Sequence, residues 1–207
     1  MTAPFQHIRR WLVFRESPTA CNTRAAGLAR EIYLPGTGKS PPMEPLLLRF
    51  RVAGASDVPT ASRILTEATD WEESKGFPAP WPRPFPPQIL LDASSRSELY
   101  LVEDPGGTPV GTITLQWADI PFWGERPPEA GYVHRFAIRR DFGGQGIGRR
   151  VIEWAGLRTR ERGRFKLRLD CLTASTPLHE YYQSLGFQRV GEVTQGGFPC
   201  TLFEKPL

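Results

Sequence analysis

The segment that most restricts what this chain can fold into lies between residues 132 and 157. Residues 132–138 form an apolar, strand-like run, which breaks into a loop carrying Gly143, Gly144, Gly146 and Gly148. Val151, Ile152, Trp154, Ala155 and Leu157 then recur at helical spacing. A strand, a glycine-rich turn and a helix in succession present free backbone N–H groups to an anion at a helix N-terminus. Glycine lets the backbone curl toward that anion with no Cβ in the way. Arg139, Arg140, Arg149 and Arg150 flank the turn and add positive field. The local reading is a phosphate or pyrophosphate cradle; the competing reading is a glycine turn with no ligand.

Two familiar cradles do not fit. A Walker loop needs Lys-Ser/Thr after its last glycine, and Gly148 is followed by Arg149 and Arg150. The dinucleotide fingerprint G-x-G-x-x-G, counted from Gly144 and Gly146, ends on Arg149. Asp170 stands at about the distance of the ribose-binding acid, the one feature in favour of a dinucleotide site. Residues 35–42, Pro-Gly-Thr-Gly-Lys-Ser-Pro-Pro, contain half a Walker loop, but the leading glycine is missing and no helix follows.

A second motif lies downstream. Residues 178–187 read Leu-His-Glu-Tyr-Tyr-Gln-Ser-Leu-Gly-Phe, and they follow an alternating strand at 167–172. Together the two segments resemble the GNAT superfamily, the acetyl-CoA-dependent N-acetyltransferases. The signature of that family runs Q/R-x-x-G-x-G/A at a helix start, then a strand, then a short helix closing on Y-x-x-x-G-F. Gly146 and Gly148 match its two small positions, and Tyr182, Gly186 and Phe187 match the later run. Residues 134–140 are similar to the family's fourth strand, whose bulged backbone pairs with the pantetheine arm. The chain departs from the pattern at Gly143, where Arg or Gln is usual, and at Ser175, near a common asparagine.

The resemblance implies a mixed α/β fold: a twisted, mostly antiparallel sheet flanked by helices and splayed between strands 4 and 5. It implies acetyl-CoA as acyl donor and an amine as acceptor, meeting in a ternary complex. Phe136, Ala137 and Ile138 would meet the pantetheine and polarise the thioester carbonyl. Gly143, Gly144, Gln145, Gly146, Ile147, Gly148 and Arg149 would cradle the pyrophosphate, with a further contact from Ser175. Tyr182 would protonate the departing thiolate. Alternation along the fourth strand places Tyr132, His134 and Phe136 on one side. His134, at a position that holds histidine in arylalkylamine-type members, is the candidate base, with Glu129 in reserve. A non-catalytic acyl-CoA-binding module is the alternative.

Composition adds bounds. The chain has 207 residues and a net charge of +4, enough for one domain with a real core. No basic run is interleaved with aromatics, so nucleic acid is not an expected partner. Cys21, Cys171 and Cys200 are widely spaced, with no pairing at metal-ligand spacing, and no metal is expected. Cys171, in an apolar strand, reads as a core residue. No stretch has the length of a membrane span and no leader pattern opens the chain, so a cytoplasmic monomer or homodimer is the default.

Residues 1–42 read as an N-terminal extension that ends in a Pro/Gly/Ser linker, and residues 43–207 as the N-acetyltransferase domain. Within that domain, 46–52 is strand-like. Asp57 is placed to cap a helix with Ala61, Ile64, Leu65, Ala68 and Trp71 on its apolar face, ended by Gly76. A Pro-rich aromatic loop at 77–87 precedes a short helix at 89–93. Strands at 98–103 and 110–117 flank a Pro-Gly-Gly turn, and 120–128 reads as a loop. The aromatic loops, with Trp71, Trp81, Phe85, Trp117, Phe122 and Trp123, are expected to form the acceptor site.

Overall fold

The computed structural model describes residues 47–78, 81–96 and 98–207. The boundary expected at Met43 and the extension before it lie outside the described residues. Strands β1 (Arg49–Val52), β2 (Leu99–Glu103), β3 (Pro109–Gln116), β4 (Ala130–Ile138), β5 (Lys166–Leu172), β6 (Gln188–Gln195) and β7 (Phe198–Pro206) make one sheet in the order β1-β2-β3-β4-β5-β7-β6. Every neighbouring pair is antiparallel except β4 and β5. The mixed, mostly antiparallel α/β architecture expected from the sequence is the observed one.

Helix α1 (Val58–Ser74) forms where Val58, Ala61, Ile64, Leu65 and Ala68 recur on one face, and all five are buried. Pro59 suits its first turn, where an amide N–H has no helical acceptor. Asp57 stands at the N-cap but makes no side-chain cap bond. Its carboxylate instead accepts from the Gly54 N–H at 2.8 Å and from the Arg51 guanidinium at 2.7 and 3.0 Å, which ties β1 to the helix entrance. Helix α2 (Pro87–Ser95) is longer at both ends than the sequence suggests. The stretch after β3 is not all loop: Asp119 leads into a four-residue helix, α3 (Ile120–Trp123).

Helix α4 (Ile147–Glu161) packs on β4 and β5. It comes close because residue 131 is glycine: a Cβ there would lie 2.3 Å from Thr159 Oγ1. Its Trp154 stacks on Phe50 of β1, with centroids 4.4 Å apart and planes 2° from parallel, and meets Tyr100 of β2 edge-on. One side chain thereby fastens the far edge of the sheet to the central helix. Helix α5 (Thr176–Ser184) follows β5. Trp81 and Phe85, expected at an acceptor site, are buried in edge-to-face contact and belong to the core.

The sheet opens in its middle. β4 and β5 pair only through Ala130–Lys166, Gly131–Leu167 and Tyr132–Arg168, and beyond these the ladder stops. The last shared rung is fastened by Arg168, whose side chain is 4% exposed. Its guanidinium donates to Tyr132 Oη at 2.9 Å, Glu204 at 2.7 Å and Glu129 at 2.6 Å, and it lies over the Trp123 ring at 4.9 Å.

Candidate active site

The glycine turn links the open end of β4 to α4. After Arg139 the chain makes one tight turn, Arg140–Phe142, and α4 begins at Ile147. Gly146 is the N-cap at φ +70°, a left-handed conformation that costs a residue with a Cβ about 1–2 kcal/mol. The first bond of α4 runs from the Arg150 N–H to the Gly146 carbonyl, so helix geometry leaves the N–H groups of Ile147, Gly148 and Arg149 to face outward. These three amides lie at the positive end of a 15-residue helix, an arrangement that can seat an anion. Gly143 contributes less than expected, because its N–H already donates to the Arg140 carbonyl at 2.9 Å. Gly144 and Gln145 are exposed on the turn. Arg139 is engaged with Asp141 and the Pro109 carbonyl, and Arg140 lies 3.8 Å over the Trp71 ring.

A bulge shapes the strand that leads into this turn. Thr114 pairs with His134, whereas Thr112 pairs with Ala137, so β4 carries one residue more than β3 between these points. Arg135 sits there at φ +46°. The extra residue corrects the simple alternation: Tyr132 and His134 share a side, Ala137 rejoins them, and Phe136 turns to the other face. Val133, His134, Arg135 and Phe136 then line one wall of the opening, and Leu169, Asp170 and Tyr182 line the other. The slot between them is narrow, about 10 Å³.

Tyr182 is buried, with its ring edge-on to Phe187 and tilted on Phe203. Burial pushes its hydroxyl well above the ordinary tyrosine value, so it keeps its proton at neutral pH. Its neighbour Tyr181 is raised by burial as well. Burial also raises the Cys171 thiol, which makes Cys171 an inert core residue, as its strand position suggested. Ser175 holds the N-cap of α5 and is buried, but it accepts from Leu178 and His179 through its backbone carbonyl, and its side chain makes no cap bond.

His134 is buried at the mouth of the opening. With Asp119 and Asp170 it forms a group in which one side-chain donor or acceptor atom of each residue lies within 4.8 Å of the others. Sequence reasoning missed both acids as partners of His134. Asp170 had drawn notice only for its distance from the glycine turn, and Asp119 sat in what read as a loop. Glu129 is elsewhere: its carboxylate accepts from Lys166 at 3.0 Å and Arg168 at 2.6 Å, and Lys166 first, then Arg168, holds it below the usual carboxylate range.

A further acid, Glu72, is buried near the C-terminal end of α1. Burial pushes its carboxyl up to about 9. The unfolded chain releases this proton near pH ~4.3, so between that pH and about 9 the folded state holds a proton that the unfolded state has lost. The contribution of Glu72 to stability therefore falls as pH rises through this window. Glu72→Gln removes the penalty: Tm should rise by roughly 5 °C at pH 8 and stay unchanged at pH 4. An equal shift at both pH values would show that Glu72 is not held neutral.

Similarities to known proteins bear on this geometry. The acetyltransferase (GNAT) family profile matches residues 66–187. The uncharacterized N-acetyltransferase YesJ of Bacillus subtilis is 37% identical over 93 residues, which is 44% of this chain and 49% of that protein. The match thus spans about half the length of that relative. A GNAT-family acetyltransferase from Listeria monocytogenes superposes with a TM-score of 0.65 at 22% identity, over 77% of this chain and 95% of that one. The PaiA N-acetyltransferase of Thermoplasma acidophilum, solved with coenzyme A, superposes with a TM-score of 0.61 at 15% identity, over 78% of this chain and all of that one. The opened sheet, the glycine turn at the head of α4 and the tyrosine of α5 lie within the matched region, and this chain belongs to the GNAT family of acetyltransferases.

Proposed function

We propose that this protein transfers an acetyl group from acetyl-CoA to an amine. The observation that carries the reading is the slot between β4 and β5, which has Tyr182 on one wall, together with the glycine turn that carries β4 into the N-terminus of α4. Acetyl-CoA supplies an acyl carbon already activated as a thioester. The amides of Ile147, Gly148 and Arg149, with Gly144, Gln145 and Gly146 shaping the turn, hold its pyrophosphate. The β4 backbone at Phe136, Ala137 and Ile138 lies along the pantetheine and polarises the thioester carbonyl. His134 takes the proton of the acceptor ammonium, leaving a neutral nitrogen to attack. Tyr182 gives its phenolic proton to the thiolate as the C–S bond breaks, and recovers one from the nitrogen as the amide forms. Glu129 is committed to its two cations, and the base role falls to His134.

Calorimetry with acetyl-CoA and with NAD, followed by a free-thiol assay over a panel of amines, tests this reading. Acetyl-CoA binding with thiol release on adding an amine supports it. Preference for NAD would sink the acyl-donor assignment. Binding without turnover of any amine would leave an acyl-CoA-binding module. Gly146→Ala should weaken acetyl-CoA binding by roughly 10-fold, because the strain of a left-handed alanine is relieved by disturbing the turn that aims the three amides. Unchanged affinity would place the pyrophosphate elsewhere.

A further inference from the structure

We infer that Asp119 and Asp170 are positioning residues for His134: they fix the imidazole at the slot and hold the charge it gains from the acceptor ammonium. The inference rests on the acetyl transfer proposed above and adds two residues to it.

The ladder places the group. Tyr132 and Arg168 form the last β4–β5 rung, and His134 and Asp170 stand two residues beyond it on their respective strands. Two-residue periodicity brings both back to the side of the sheet occupied by Tyr132 and Arg168, facing each other across the opening. Asp119, the residue before α3, closes the group from a third element. His134 is 1% exposed and each aspartate 4%, so water does little to screen them from one another. His134 and Asp170 both line the slot that holds Tyr182.

The other charged groups nearby do not duplicate this role. Arg168 is committed to Glu129, Glu204 and Tyr132. Glu72, reaching in from α1, is kept neutral by burial and carries no charge to offer. Tyr182 of α5 keeps its proton, and Arg135 follows His134 directly in the bulge. The Thr114 hydroxyl, directly across the β3–β4 ladder from His134, is fully buried with no hydrogen-bond partner among the described residues. An imidazole serving as base in such a site needs a fixed ring orientation and compensation for the proton it takes, and a buried carboxylate supplies both.

Asp119→Asn, Asp170→Asn and His134→Ala, alone and combined, test the inference through two readouts. The first needs no acceptor. The chain has three histidines, so the ring signal of His134 can be assigned in the full-length protein by its loss in His134→Ala. Each Asp→Asn change should move the His134 titration midpoint down by roughly one pH unit, because a carboxylate favours the charged imidazole. The second readout is kcat/KM against pH with acetyl-CoA and tyramine or spermidine. Each aspartate variant should lose about 10-fold and move its acidic limb to lower pH, with no further loss in a His134→Ala background.

Acetyl-CoA affinity within a few-fold of the parent shows that each variant is folded, and either aspartate variant alone suffices if the other does not fold. A midpoint that stays put, or losses that add to those of His134→Ala, would overturn the inference. So would a bound divalent cation whose removal by EDTA abolishes activity. If no amine turns over while the midpoints still move, the acetyl-transfer reading fails and the coupling of the three residues stands.

Discussion

Tyr182→Phe should lower kcat by about 10²-fold while leaving the affinity for acetyl-CoA within a few-fold. The substitution removes one oxygen and nothing else. The ring keeps its contacts with Phe187 and Phe203, so the wall of the slot is unchanged. What is lost is a hydroxyl that burial keeps protonated above neutral pH, on the wall of the slot where the proposed reaction puts the leaving thiolate. Stopped-flow detection of thiol release separates this step from product release. Normal turnover would make Tyr182 a packing residue and leave the thiolate to solvent. A loss of binding equal to the loss of rate would show that the hydroxyl holds the ground state.

Arg168→Leu carries the largest expected cost in stability, about 3 kcal/mol. The guanidinium joins β4, β5 and β7 through Tyr132, Glu129 and Glu204, at the last rung before the sheet opens. Leucine fills part of the space but leaves two carboxylates facing each other. Lys166, 3.0 Å from Glu129 and 3.3 Å from Glu204, keeps the loss at the lower end of the range for broken buried ion pairs. Chemical denaturation at neutral pH measures it, and a loss under about 1 kcal/mol would show that the carboxylates are rehydrated. Because α3 covers this place through Trp123, the variant should also weaken acetyl transfer.

Much of the fold could be read along the chain because its signals are local. Glycines between an apolar strand and a helix mark the turn at 143–148, alternation marks β2 and β3, and the spacing from Ala61 to Ala68 marks α1. The grouping of Asp119, His134 and Asp170 was not legible, since nothing local tells three polar residues on three elements that the opening of a sheet will bring them together. The family resemblance implied a bulge in β4, but no residue type signalled its position. Arginine is an unusual choice for a left-handed backbone, so alternation alone carried Phe136 to the wrong face. Residues 120–128 read as a loop, yet four of them form α3, with Pro121 at home in its first turn. Asp57 matched the pattern of a helix cap, but Arg51, brought close by the short turn between β1 and α1, took its carboxylate.

The short β4–β5 ladder also has a mechanical consequence. Three rungs, the Arg168 cluster, the Arg164 bonds to the Trp117 and Ala130 carbonyls, the contact of α3 with β6 and the bridging helix α4 are among the contacts that couple the ribbon β1–β4 to the ribbon β5–β7–β6. Such a joint behaves as a flexure, stiff within each ribbon and compliant between them. Amide exchange should therefore resolve two cooperative blocks that meet at Ala130–Tyr132, with β4 residues beyond the joint exchanging sooner than those in its rungs. A ligand spanning the gap would lock the flexure, so its grip would register as protection in both ribbons at once.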